Sequence, residues 1–195
     1  MRHELDPAPV TADHYLVIDF EATCCDRGSV PRTEMEIIEI GAVMADASNF
    51  EVIDDFQTFV RPARHPRLTS FCTKLTSIRQ QDVDAAPAFT DAIRAFRTWL
   101  YRYSGFVFCS WGDYDRSQLL QNCRFHRVPY PIAAQHMNLK QLFVERQRLS
   151  KKPGLGEAVR LARLEFSGTA HRGIDDARNI ARLLPYVFGT ATLGG

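Results

Sequence analysis

Six residues near the N-terminus, Tyr15-Leu-Val-Ile-Asp-Phe20, constrain the fold more than any other stretch of this chain. The run is short, rich in β-formers and almost wholly apolar up to its first acid, so as a strand it needs cover on both faces. Such a strand belongs in the middle of a sheet held between layers. The rest of the chain supplies those layers. Residues 37–44 and 52–60 read as two more strands across a polar turn with Asp46, Ser48 and Asn49, forming an antiparallel meander with the first. After Pro87, apolar Phe89, Ile93, Phe96 and Leu100 recur at helical spacing, and residues 106–111 read as a buried strand returning parallel to the first. Helical patterns follow at 116–125, 139–149, 155–164 and, as one last helix, 174–187. This order predicts a single three-layer α/β/α domain around a central mixed sheet, residues 14–188, with flexible segments at 1–13 and 189–195.

A length of 195 residues leaves room for one such domain, and 45% hydrophobic with 24% charged residues describes a globular protein, not a disordered or fibrous one. The formal net charge of +1 is too small to announce a polyanionic partner. Within the basic set arginine dominates, since only Lys74, Lys140, Lys151 and Lys152 are lysines. Guanidinium forks suit phosphate contacts, although genome composition produces the same bias. The five cysteines form no CxxC pair and are odd in number, which suits neither a disulfide framework nor a four-ligand zinc site. With no apolar signal core near Pro7 and Pro9 and no run of eighteen apolar residues, a cytoplasmic protein without membrane contact is expected.

Three places carry acids in a suggestive arrangement. Asp19 and Glu21 are two apart at the end of the first strand, and alternation sends both carboxylates to one face. Asp115 follows the second buried strand and shares a helix face with Leu119, so it points inward or caps the helix, with Asp113 a second capping candidate. Asp176 begins the apolar row Ile180, Leu183, Val187 of the final helix, whereas Asp175 lies about 100° round and caps the helix or faces solvent. His171 falls on the mobile loop leading into that helix. Carboxylates are hard oxygen ligands; a set of three or four holds two divalent cations about 4 Å apart, an arrangement that cleaves phosphodiesters. Imidazole titrates near neutral pH, so His171 is the candidate general base, taking a proton from the attacking water.

At these residues the sequence resembles the DEDDh exonucleases, the DnaQ-like or ribonuclease T-like superfamily. The resemblance runs from Tyr15 to Val187. Ile18-Asp-Phe-Glu-Ala-Thr-Cys24, Glu36-Ile-Ile-Glu39, Phe71-Cys-x-x-Leu-Thr76, Ser110-Trp-Gly-Asp-Tyr-Asp115 and His171-x-Gly-Ile-Asp-Asp176 are similar to the ERI-type exoribonuclease branch. The resemblance implies a ribonuclease H-like fold and two ions, Mg²⁺ or Mn²⁺. It gives Asp19, Glu21 and Asp176 the first ion, lets Asp19 bridge to the second, and has Asp115 support that second ion. His171 matches the base. Phe20, Ala22 and Thr23 match the wall of the terminal-nucleotide pocket, Leu75 and Thr76 another wall segment, and Tyr114 stands where an aromatic, commonly tryptophan, stacks on a base. No SAP-like RNA-binding extension is read ahead of the domain, so stem-loop specificity is not expected.

The expected activity is therefore metal-dependent 3'-to-5' hydrolysis of single-stranded or 3'-overhanging RNA with a free 3' end, releasing nucleoside 5'-monophosphates. DNA is an alternative substrate, because nothing in the sequence reads a 2'-hydroxyl unambiguously, and a DNA proofreading or repair exonuclease is the rival enzyme. A catalytically silent nucleic-acid-binding module is the rival from another class. No protein partner is read from the sequence.

Overall fold

The computed structural model describes residues 12–194, so the flexible segment expected at 1–13 lies almost wholly outside the described residues. The run at Tyr15 forms β1 (His14–Ala22), the middle strand of a five-stranded sheet. On one side it pairs antiparallel with β2 (Ile37–Asp46), which pairs antiparallel with β3 (Val52–Phe59). On the other it pairs parallel with β4 (Phe106–Ser110), and β4 pairs parallel with β5 (His136–Asn138). Alternation along β1 divides the core. Tyr15 and Val17 pack on one face, against the C-terminal helices, while Leu16, Ile18 and Phe20 pack on the other, against helices from the middle of the chain.

Eight α-helices cover the sheet among the described residues: α1 (Ser70–Thr76), α2 (Gln80–Asp84), α3 (Phe89–Leu100), α4 (Tyr114–His126), α5 (Leu139–Arg146), α6 (Leu155–Leu161), α7 (Gly173–Arg182) and α8 (Leu184–Phe188). Helix α3 buries Phe89, Ile93, Phe96 and Leu100, the row its spacing predicts. The single last helix expected over 174–187 is in fact two. Helix α7 ends at Arg182, and Pro185, which has no N–H to donate, sits in the first turn of α8. The segment after Gly189 is tethered as far as Leu193. Gln147 Nε2 donates to Ala191 O at 3.0 Å, Gln147 Oε1 accepts from Leu193 N at 2.9 Å, and Leu193 packs against the core. The five cysteines are free thiols, and no described helix is long and apolar enough to cross a membrane.

Candidate active site

The site begins where β1 outruns its parallel neighbour. Pairing between β1 and β4 ends at Val17 opposite Cys109, leaving the last residues of β1 without a ladder on that side. Asp115, in the first turn of α4, fills the gap, its Oδ1 accepting a hydrogen bond from Phe20 N at 3.0 Å. Asp115 is thus an inward-pointing acid bound to the strand. The cap position belongs to Asp113, whose side chain makes no capping bond and accepts instead from Asn138 Nδ2 at 2.9 Å.

From the opposite face, α7 approaches β1 and β2 at backbone distance. A Cβ on Gly173 would stand 2.8 Å from Asp19 O, and a Cβ on Gly41 would overlap the Gly173 carbonyl carbon at 2.0 Å. Glycine at both positions lets the start of the helix lie directly on the strand pair, which carries Asp176 to the acids of β1. Glu39 fixes the approach. It faces Glu21 across the antiparallel pair, is fully buried, and accepts from Gly173 N at 3.1 Å and from Arg172 Nε and Nη2 at 3.0 and 3.2 Å. Gln57 Nε2 donates to it as well, at 2.7 Å.

Four carboxylates therefore converge at the end of β1, and each resists ionisation. Burial pushes Glu21 up to about 9, with the charges of Asp176, Glu39 and Asp115 adding to the effect. Burial raises Asp176 to about 7, against a hydrogen bond from His171 N. Asp115 rises to about 6, again through burial, offset in part by the bond from Phe20 N. Asp19 is raised well above the ordinary carboxylate range by desolvation and by Asp115, Asp176 and Glu21. Asp176 Oδ1 is buried with no hydrogen-bond partner among the described residues. Among the described residues no basic side chain is bonded to the four acids, only Lys140 near Asp115 offsets their charge, and one carboxylate oxygen is orphaned; such a buried, all-carboxylate donor set fits hard divalent cations. Asp19, Glu21, Asp115 and Asp176 are the residues that would hold them.

His171 is exposed and in a left-handed conformation, φ 61°. One ligand atom each from Glu21, His171 and Asp176 lies within 4.8 Å of the others, the tightest grouping of the set. The loop leading to His171 is not free to swing. Asn179 binds Ser167 through both its amide atoms, Asp175 Oδ2 accepts from Thr169 N at 2.9 Å, and Asp176 Oδ2 accepts from His171 N at 3.2 Å. Asp175, read as a helix cap or a solvent-facing acid, is a loop anchor instead; the cap position is Arg172.

The pocket candidates separate into two groups. Tyr114 and Leu75 reach the surface, at 47% and 37% exposure. Phe20, Ala22, Thr23 and Thr76 are buried, and both hydroxyls are committed: Thr23 Oγ1 accepts from Glu36 N at 2.9 Å, and Thr76 Oγ1 donates to Cys72 O at 2.9 Å. Their side chains pack within β1, the residue after it and α1. Glu39, Arg172 and Gly41 carry no role that spacing along the sequence reveals. The available signal was a charged residue inside the apolar run Ile37-Ile-Glu-Ile40, which a buried strand tolerates only with partners.

A central mixed sheet with acids gathered where its parallel strands end defines the class: a ribonuclease H-like α/β fold, which the chain shares with solved exonuclease structures. A sequence profile of the Exonuclease (RNase T) family matches residues 16–184, and the chain belongs to that family. It is 34% identical to "ERI1 exoribonuclease 2" of Xenopus laevis over 88% of this chain and 28% of that protein. It is 32% identical to human "3'-5' exoribonuclease 1" over 88% of this chain and 51% of that protein. The chain thus spans about half or less of the length of these relatives. In three dimensions it is similar to the nuclease domain of 3'hExo, a DEDDh family member solved bound to rAMP. The TM-score is 0.83 at 29% identity, covering 92% of this chain and 94% of that one.

Proposed function

We propose that the chain is a divalent-metal-dependent 3'-to-5' exonuclease that shortens single-stranded or 3'-overhanging RNA and releases nucleoside 5'-monophosphates. The observation that carries this reading is the convergence of Asp19, Glu21, Asp115 and Asp176 on one water-poor spot, with a buried carboxylate oxygen left unpartnered. The relatives' names supply the polarity and the substrate. Mg²⁺ or Mn²⁺, when bound, supplies Lewis-acid activation and neutralises charge on the phosphoryl oxygens. Asp19, Glu21, Asp115 and Asp176 are the side chains that would hold these ions.

The remaining work falls to the chain's own side chains. His171 takes the proton of the attacking water through its imidazole; its backbone is held by Asp176 and its exposed side chain reaches within 4.8 Å of ligand atoms of Glu21 and Asp176. Glu39 and Arg172 keep the start of α7 seated, so Asp176 meets β1 without rearrangement. Tyr114 and Leu75 flank the position of the terminal base, and Tyr114 offers its ring for stacking. Free thiols throughout the described chain suit a reducing cytoplasm.

The test is a time course on 5'-labelled RNA and matched DNA oligonucleotides with Mg²⁺, Mn²⁺ or EDTA. Stepwise 3' shortening of RNA that stops in EDTA is expected. Hydrolysis that persists after thorough chelation, or cleavage inside an oligonucleotide with a blocked 3' end, would overturn the reading. Equal rates on DNA would remove the RNA preference.

A further inference from the structure

The outer face of α4 is not needed for the chemistry, yet it is built. Two open cavities of about 390 and 540 Å³ lie along it and share Ser117 and Gln121 as lining, so they form one groove. The groove starts at Tyr114, next to Asp115, and runs to Arg124, about 15 Å along the helix at 1.5 Å per residue. Arg32, Arg64 and Arg124 line it, no acidic residue does, and among the described residues none of the three is ion-paired.

Hydrogen bonds hold the walls in place. Gln118 Nε2 donates to Met35 O at 2.7 Å and Gln121 Nε2 to Arg32 O at 3.1 Å, fastening the Arg32 loop to α4. Glu36 accepts from the backbone N–H groups of Ala63, Arg64 and His65, fastening the Arg64 loop behind it. Arg64 itself lies over the Phe125 ring at 3.5 Å and donates to Thr33 O, so its guanidinium is positioned.

Resting on the exonuclease reading above, we infer that this groove binds the phosphodiester backbone of the single strand whose 3' end occupies the acid cluster. A cationic channel beside an exposed aromatic ring is the chemistry that tracks an unpaired strand. At 3.4 Å per nucleotide, 15 Å accommodates no more than about four nucleotides. The groove also answers an electrostatic difficulty: the acid cluster repels a polyanion, and unpaired guanidiniums alongside it give the strand somewhere to dock.

The experiment uses the full chain carrying Asp19→Asn to prevent cleavage, with 5'-fluorescein oligouridylates of two and eight nucleotides read by anisotropy across a salt series. Adding Arg32→Gln and Arg124→Gln, whose side chains make no bond that holds the walls, should raise Kd for the eight-mer about tenfold. It should also flatten the log–log salt slope by about 0.7 for each guanidinium removed. The dimer should change far less, and Arg94→Gln on α3 should not change the eight-mer. Unaltered eight-mer affinity and slope would overturn the groove, as would equal losses for the dimer and the eight-mer. Hydrolysis by the wild-type chain is scored separately. A chain that cuts no oligonucleotide but loses eight-mer binding in the arginine variants refutes the nuclease reading and keeps the groove, and active chains with unaltered binding do the reverse.

Discussion

Glu36, just ahead of β2, and Asp176, in the first turn of α7, both bury their carboxyl groups, at 2% and 8% exposure, in opposite surroundings. Burial alone pushes the pKa of Glu36 upward. A hydrogen bond from His126 and three backbone N–H groups outweigh it and hold the group below the ordinary glutamate value. Asp176 has a single backbone donor on Oδ2, an orphaned Oδ1 and acids around it, and it ends up near 7. Burial does not separate a structural acid from one proposed to bind a cation. The difference lies in whether the protein has already supplied the positive partners, and at the end of β1 it has left them out.

The largest effect expected from this contrast is at Asp19. Asp19→Ala should lower kcat a thousandfold or more, since several kcal/mol of transition-state stabilisation depend on the ions it shares, while metal-free melts show no loss of stability. A stable, fully active Asp19→Ala protein would erase the distinction between the two regions. His171→Ala should lower kcat by roughly 10² to 10⁴ and leave the Mn²⁺ dependence of the remaining activity unchanged. Full recovery at high Mn²⁺ would make His171 a ligand, in keeping with its closeness to Glu21 and Asp176, and no base.

Acidity sharpens the comparison further. When folded, Asp176 and Glu21 bind protons up to about pH 7 and 9, against ordinary values of 3.8 and 4.5. Between about pH 5 and 9 the folded state therefore holds more protons than the unfolded one, and stability falls as pH rises. Thermal melts in chelator should show a decline of a few kcal/mol, roughly 5 °C or more, which Mg²⁺ reverses most strongly at the alkaline end. Glu36 acts with the opposite sign: its contribution is present above about pH 4.5 and is lost as pH drops through its lowered value. A metal-free protein most stable at pH 9 would contradict the account of the acid cluster. Glu36→Gln should cost about 1 to 3 kcal/mol of stability and keep kcat per folded molecule. The smallest effect expected is at Tyr114, where alanine should weaken single-strand binding by about 1 to 3 kcal/mol with folding unchanged. An unaltered KM across several RNA sequences would show that the exposed ring is idle.

Much of this is legible in the sequence alone. The central strand, the meander and α3 announce themselves through long apolar patterns, and Asp19, Glu21, Asp115 and Asp176 each sit where such a pattern should not hold an acid. Elements with little pattern were not legible. Strand β5 is three residues, His136–Asn138, without an apolar run, and exists because β4 offers it an edge. Helices α1 and α2 are seven and five residues long, too short for periodicity to show. The break at Leu183 was hidden because the apolar row continues across it; Pro185 was the local sign. Bonds such as Asp115 to Phe20 N, or Glu39 to Gly173 N, join residues far apart in the chain, and spacing along one sequence cannot show them.

The glycine contact between α7 and β2 also decides when during synthesis the protein acquires its proposed activity. A growing chain released only as far as α6 already owns Asp19, Glu21 and Asp115, and it lacks His171, Asp176 and the helix start that rests on Gly41. The proposed centre is complete only after the last tenth or so of the described chain has emerged and docked. Until then the nascent polypeptide carries three of the four acids of the proposed centre and lacks the fourth, together with the histidine proposed as its base.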